Sequence, residues 1–317
     1  MRVLITGAAS FLGRYLVEHF LSKDEEVLAL IRENARGKDE LLKYEVNNKF
    51  KLIVLDMKDI EKLDTDYFDI CIHLAWGGIG KVGRMDKAVQ SENIDFAKRL
   101  MKACKEKNAK RMLFAGSQAE YGQTLEDIQK VYGKDFDIKQ IPLQDENSST
   151  SPKSEYGKAK LELKKELKKL GDNLGIEYVH MRIFSVFGKG DHETSLISSC
   201  INNFRENIDV HTGECLQSWN YIYIKDLCNA IYLLSTKNLK GNYVFNIAGE
   251  DNKRLMDYVK DMKRILKSNS NIIVEKREAA SEGTPFLNPS ISVLKEIGFK
   301  EAYGFEGGIK DMCDIKD

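Results

Sequence analysis

Apolar residues in this chain come first as short continuous runs and later as helical stripes. Residues 2–6, Arg-Val-Leu-Ile-Thr, precede a turn of small residues and an amphipathic segment from Arg14 to Ser22. Further runs stand at 26–31, 50–55, 69–76, 111–116 and 176–184. A strand buried on both faces is apolar at nearly every position, so this series predicts a parallel sheet covered by helices on both sides. Two stretches supply long covering helices. One is 86–107, with Val89, Ile94, Ala97, Leu100, Met101 and Cys104 at helical spacing; the other opens at Ser154 and continues through Leu161, Leu163, Leu167 and Leu170.

Beyond residue 184 the alternation fades. A helical run at 195–206, an aromatic stretch at 219–224, a helix at 226–234 and a strand at 244–247 lead into short helices and strands over 250–317. The expected class is α/β, a doubly wound parallel sheet with a smaller mixed α/β C-terminal substrate lobe. Residues 1–187 and 215–248 are assigned to the sheet domain, and 188–214 and 249–317 to the lobe. The polar connection from Tyr121 to Pro152, rich in turn formers at 145–152 and with a short helix expected at 126–132, is long enough to serve as a lid.

Composition narrows the partners. With 317 residues and 42% hydrophobic content the chain can bury one substantial core and a smaller second one. Lys+Arg and Asp+Glu both number 49, so no net charge steers it to nucleic acid or to an acidic membrane surface. No apolar run has the length of a membrane span and the first residues read as a strand rather than a signal peptide, which predicts a cytoplasmic location. The 6 cysteines are scattered without C-x-x-C spacing, so neither a disulfide framework nor a metal site is expected.

The chemistry sits at the strand ends. Gly7-Ala8-Ala9-Ser10-Phe11-Leu12-Gly13 lies between strand and helix, the first unit of a Rossmann-type dinucleotide site. Gly7 allows the tight turn, the small residues admit a pyrophosphate to the backbone amides, and Gly13 brings helix to strand; Ser10 stands where a middle glycine is usual. The second strand ends in Arg32, with Arg36 and Lys38 nearby, which favours the extra phosphate of NADP over NAD; Glu33 opposes that choice. One charge-assisted hydrogen bond is worth about 1.5–3 kcal/mol, or tenfold to a hundredfold in preference. Ser117 is delivered to the carboxyl edge of the sheet. Tyr156 and Lys160, four apart, share a helix face, and an ammonium beside a phenol lowers its pKa.

Taken together, Gly7-x-x-Ser10-x-x-Gly13, Asp56-Met57, His73-Leu74-Ala75, Asn93, Ser117-x-x-x-Tyr121-Gly122 and Tyr156-x-x-x-Lys160 resemble the extended short-chain dehydrogenase/reductases. More narrowly, the chain is similar to the NAD(P)-dependent epimerase/dehydratase family that modifies nucleotide-linked sugars. Residues 182–188, 221–226 and 245–249 look like that family's later landmarks, so the likeness runs nearly end to end. The resemblance implies that Tyr156 is the catalytic acid/base, that Lys160 binds the nicotinamide ribose and lowers the tyrosine pKa, and that Ser117 hydrogen-bonds the reacting oxygen. It places Asp56 and Met57 at the adenine, and Leu74, Ala75 and Phe184 beside the cofactor. It makes Asn93 architectural and leaves His73 a buried, satisfied histidine. A homodimer through the helices at 86–107 and 154–170 is also implied.

Departures from the family pattern are informative. Ala119 stands where 4,6-dehydratases carry an acid, and alanine transfers no proton, so dehydration is disfavoured. Ser185 replaces a frequent asparagine, Lys189 a proline, and Trp219 lies near a usual phosphate-binding arginine. Lys189, Gln217 and Asn220 are then candidates for the substrate diphosphate, and Trp76, Arg84, Gln118, Ala119 and Ser185 for the substrate itself. Three activities are compatible with this pattern: NADPH-dependent reduction of a keto group, at C4 of a nucleotide-linked deoxysugar; epimerisation by the same Ser/Tyr/Lys trio; or reduction of a carbonyl compound without a nucleotide. A cofactor-sensing protein without chemistry would have no reason to keep the trio together.

Overall fold

The computed structural model describes residues 1–239, 241, 243–276 and 282–315, so parts of the expected substrate lobe, 277–281 and 316–317, lie outside the described residues. At its centre is a seven-stranded sheet. The strands β1 (Arg2–Thr6), β2 (Glu26–Ile31), β3 (Phe50–Val54), β4 (Ile70–His73), β5 (Arg111–Ser117) and β6 (Glu177–Ile183) lie in the order β3-β2-β1-β4-β5-β6, with the strand Val244–Ile247 beyond β6. All pairings from β3 to β6 are parallel. This is the doubly wound Rossmann-type sheet that the apolar runs predict. Strand order reverses between β1 and β4, and ligands of such sheets bind outside the carboxyl ends at that switch point.

Five α-helices precede β6 in the chain: α1 (Phe11–Ser22), α2 (Lys38–Leu42), α3 (Lys87–Glu106), α4 (Leu125–Tyr132) and α5 (Glu155–Leu174). The stripes of α3 and α5 bury Leu100, Met101, Leu163 and Leu167 in one cluster with Leu4, Leu28, Met112 and Phe114. Each such leucine contributes about 1.5–3 kcal/mol by leaving water. Their outward faces are charged: Lys98 pairs with Glu166, and Arg99 with Asp95 at 2.9 Å and Glu61 at 3.1 Å. A dimer through these helices would therefore meet across charges rather than across an apolar seam. No helix among the described residues is long and apolar enough to cross a membrane.

The chain divides into two compact units. The first comprises Met1–Glu120, Pro152–Ile183 and Cys228–Phe245; the second comprises Tyr121–Ser151, Phe184–Leu227 and Asn246–Asp317. Hydrogen bonds from buried amides explain why 121–151 belongs to the second. Gln144 donates to Gln123 at 2.8 Å and accepts from the Asn288 amide at 2.9 Å. Asn246, fully buried, donates to the carbonyls of Gln144 at 2.9 Å and Ser290 at 3.0 Å and accepts from the Tyr121 hydroxyl at 2.7 Å. Ile128, Phe136, Ile141 and Phe286 close a small core beside it.

Replacing Asn246 with leucine of similar size would remove three buried hydrogen bonds, those with the Gln144 and Ser290 carbonyls and with the Tyr121 phenol. Each is worth about 0.5–1.5 kcal/mol, so Asn246→Leu is expected to lower the melting temperature by about 5–10 °C in calorimetry.

Candidate functional site

β5 ends at Ser117, and the chain turns at once through a single 3₁₀ turn, Gln118–Glu120. The Ser117 hydroxyl oxygen accepts from the Ala119 amide at 3.2 Å, which closes the turn. α5 starts opposite it. Its N-cap is Ser154, whose side chain accepts from the Gly157 amide at 3.3 Å. Gly157 is there because nothing larger fits: a Cβ would lie 2.7 Å from the Ala119 carbonyl oxygen. That close approach sets the Tyr156 phenol near the Ser117 side chain, which favours its phenolate form.

Lys160 is one turn further on and only 3% exposed. Its Nζ donates to the Ala115 carbonyl at 2.6 Å and lies 3.5 Å from the centre of the Trp76 ring, a cation–π contact. Burial pushes its pKa well below the ordinary lysine value, and the charge of Glu120 works in the opposite direction. The expectation that Lys160 lowers the Tyr156 pKa does not describe this arrangement. Burial raises the Tyr156 pKa, and the influences favouring phenolate are the Ser117 hydrogen bond and the guanidinium of Arg84, 4.5 Å above the phenol ring. The ammonium points at β5 and at Trp76, 5.6 Å from the phenol ring centre.

Trp76 and Arg84 belong to a loop pinned from α3. Gln90 accepts from the Trp76 indole at 2.8 Å and donates to the carbonyls of Gly78 at 3.2 Å and Gly83 at 2.8 Å. Asn93 accepts from the Gly77 amide at 2.8 Å and donates to its carbonyl at 3.0 Å, so its role is architectural. His73, buried, lies 2.7 Å from the Thr6 hydroxyl, and burial together with Lys160 lowers its pKa to about 3. It is a neutral core histidine.

The residues after β1 fit a dinucleotide. Gly7 has φ +70°, and a Cβ there would lie 2.8 Å from the Ala75 amide nitrogen, so the turn and the β4 edge meet backbone to backbone. Ser10 caps α1 by accepting from Gly13 at 3.1 Å. First-turn amides have no acceptor within a helix, and those of Phe11 and Leu12 are the pair an anionic ligand would meet. Leu74 and Ala75 are half-buried beside this turn, while Asp56 is exposed and caps the turn after β3, with Met57 packed on the core. Arg32 and Arg36 are exposed, and Glu33 is held by Lys38 at 2.9 Å.

Ser117, Gln118, Ala119, Tyr156, Lys160, Trp76 and Arg84 thus gather in the first unit. Phe184, Ser185, Lys189, Gln217 and Asn220 lie in the second. Phe184 is buried against Tyr121, and Ser185 pairs with Tyr221 in a short parallel ladder. Lys189 is 70% exposed and 3.7 Å from Asp314; Gln217 is half-buried. Asn220 is committed elsewhere: fully buried, it accepts from the Gly249 amide at 2.8 Å and donates to Gly249, Asp251 and Asn252 at 2.9–3.0 Å. With its oxygen and amino group both engaged it braces a turn.

Sequence reasoning passed over Glu120, His180 and Arg182, all fully buried, with His180 and Arg182 each bonded to Glu120. A signal was present: His180 and Arg182 alternate with Val179, Met181 and Ile183 in a strand, and such groups require a buried partner.

Comparison with known proteins agrees with this geometry. The model of the NAD dependent epimerase/dehydratase family matches residues 3–248. A UDP-glucose 4-epimerase of Halalkalibacterium halodurans is 26% identical over 74% of this chain and 70% of its own length. A UDP-N-acetyl-alpha-D-glucosaminuronate decarboxylase of Bacillus cytotoxicus is 24% identical over 98% of this chain and 96% of its own. Among solved structures, a UDP-N-acetylglucosamine 4-epimerase from Methanobrevibacter ruminantium in complex with UDP-N-acetylmuramic acid superposes with a TM-score of 0.82, at 25% identity, covering 99% of this chain and 97% of that one.

A buried lysine carries a desolvation cost, so Lys160→Met should melt no lower than the wild type. Loss of one charge-assisted hydrogen bond should weaken nicotinamide dinucleotide binding about tenfold to a hundredfold by calorimetry. A stability loss with unchanged binding would contradict both expectations.

Proposed function

The chain belongs to the NAD dependent epimerase/dehydratase family, and on that premise we propose that it is a 4-epimerase of a nucleotide-linked sugar that keeps its NAD through the catalytic cycle. The observation that carries this reading is the approach of the Tyr156 helix to the Ser117 turn at the sheet edge, with Lys160 buried beside it on the Ala115 carbonyl and Ala119 lacking the acid that water elimination needs. The likeness to 4-epimerases, over 74% of this chain in one case and 99% in another, supports it.

In this reading the sugar C4 oxygen sits against both hydroxyls. Tyr156 takes its proton as the sugar is oxidised, and Ser117 donates a hydrogen bond to the same oxygen. Arg84, over the ring, favours the phenolate form of the tyrosine. When bound, the nicotinamide accepts and returns the hydride. Once the flat keto sugar has turned its other face, Tyr156 gives the proton back. Lys160 holds the nicotinamide ribose, and the amides of Phe11 and Leu12 hold the pyrophosphate.

A second reading, NADPH-dependent reduction of the C4 keto group, has one observation in its favour. The end of β2 presents Arg32 and Arg36 to solvent, while the nearest acid, Glu33, is engaged by Lys38. An exchangeable cofactor with a 2′-phosphate would meet these arginines.

The two readings separate in one preparation. An epimerase should release about one equivalent of NAD per chain on acid denaturation and interconvert UDP-sugars, followed by NMR, without net loss of NADH or NADPH absorbance. Substrate-dependent loss of NADPH absorbance, weakened in Arg32→Ala, would select the reductase. In either case Tyr156→Phe should lose about 10²–10⁴-fold in kcat while still binding the dinucleotide; near-wild-type turnover would remove Tyr156 from the chemistry.

A further inference from the structure

The turn that holds Ser117 rests on a charge. The carboxylate of Glu120, 0% exposed, accepts from the Ser117 backbone amide at 2.9 Å, from His180 Nε2 at 2.8 Å and from Arg182 Nε at 3.0 Å. Behind His180, the Tyr178 hydroxyl lies 2.7 Å from Nδ1. A neutral imidazole protonated on Nε2 satisfies both contacts, since it donates to Glu120 and accepts from Tyr178. Burial lowers the His180 pKa, as that tautomer requires. The cluster is closely built: a Cβ on Gly116 would lie 2.4 Å from His180 Nε2 and 2.7 Å from the Glu120 carboxylate.

Burying a carboxylate costs several kcal/mol unless donors meet it, and a purely structural role at this place could be filled by apolar packing. The three donors meet that cost. Burial alone would raise the Glu120 pKa, yet the hydrogen bonds from His180 and the Ser117 amide and the charge of Arg182 bring it below the ordinary glutamate value, so the group stays ionised. Its field reaches the functional side chains of α5, raising the pKa of Lys160 and of Tyr156.

We propose that Glu120 is a positioning residue for the reaction, clamping the Ser117 amide so that the serine hydroxyl faces Tyr156, and holding a buried negative charge at that turn. This rests on the roles of Ser117, Tyr156 and Lys160 in the proposed epimerase, and adds a fourth member that acts through them. The charged and titratable groups facing it are His180, Arg182 and Tyr178 on β6 and Tyr156, Lys160 and Lys164 on α5; Arg84 faces Tyr156 from the loop after β4.

Glu120→Gln keeps the shape and removes the charge. The Tyr156 phenol can be followed without turnover, as the difference in alkaline absorbance titration between a protein and its Tyr156→Phe partner. In the Glu120→Gln background it should titrate about one unit lower than in the wild type, because removing a nearby negative charge favours phenolate. A phenol that stays within about 0.2 unit of wild type in a folded Glu120→Gln protein overturns the proposal. If nucleotide-sugars are turned over, kcat should fall about tenfold with the sugar KM changed by less than about threefold, the pattern of a group that acts in the transition state. A moved phenol in a protein that turns over no nucleotide-sugar would sink the epimerase reading and leave Glu120 standing. Should Glu120→Gln not fold, Glu120→Asp decides: it keeps the charge but draws the carboxylate about one methylene away from Ser117. The Ser117 amide should then exchange its hydrogen at least about tenfold faster, and an unchanged exchange rate would refute the clamp.

Discussion

A phenol, a serine hydroxyl and a buried ammonium can work on one atom only if the backbones that carry them approach more closely than side chains ordinarily allow. Here that approach is between the start of α5 and the turn after β5. It depends on Gly157 lying against the Ala119 carbonyl, where a Cβ would come within 2.7 Å. Ser154 caps the helix at that point, and Ser117 closes the opposing turn on its own hydroxyl. Two local capping contacts and one missing side chain therefore set how closely the Tyr156 helix approaches the Ser117 turn.

Charge is arranged around that contact in the same way, each group held by named partners. Lys160 has left water almost completely and is compensated by a carbonyl, by the face of Trp76 and by the more distant field of Glu120. Glu120 is in turn held by His180, Arg182 and a backbone amide. Arg84 lies nearer the Tyr156 ring than Lys160 does, 4.5 Å against 5.6 Å from its centre. The loop that carries it is fixed by Gln90 and Asn93 of α3, so a helix remote in sequence sets the electrostatics of the tyrosine.

The likeness to known proteins fixes the family and leaves the choice within it to particular side chains. Ala119 bears on elimination and Arg32 on the cofactor. Asn220 drops out of the substrate-facing set because every polar atom of its side chain is engaged by the turn at 249–252.

The sequence alone determined the layers of the fold, because strands covered on both faces must be apolar almost throughout and helices on a sheet must carry a stripe. It also carried the strand-turn-helix unit beginning at β1, the position of Ser117 at a strand end, and Tyr156 and Lys160 one helical turn apart. His73 and Asn93 were legible as core and architecture for the same reason, being polar residues within apolar elements. What only the tertiary structure decided were the pairings across long separations: Arg84 over Tyr156, Lys160 against Trp76, and Glu120 with His180 and Arg182, 60 and 62 residues away. Such contacts leave no period in the chain, since a buried charge is specified by the partner that neutralises it and not by its neighbours in sequence.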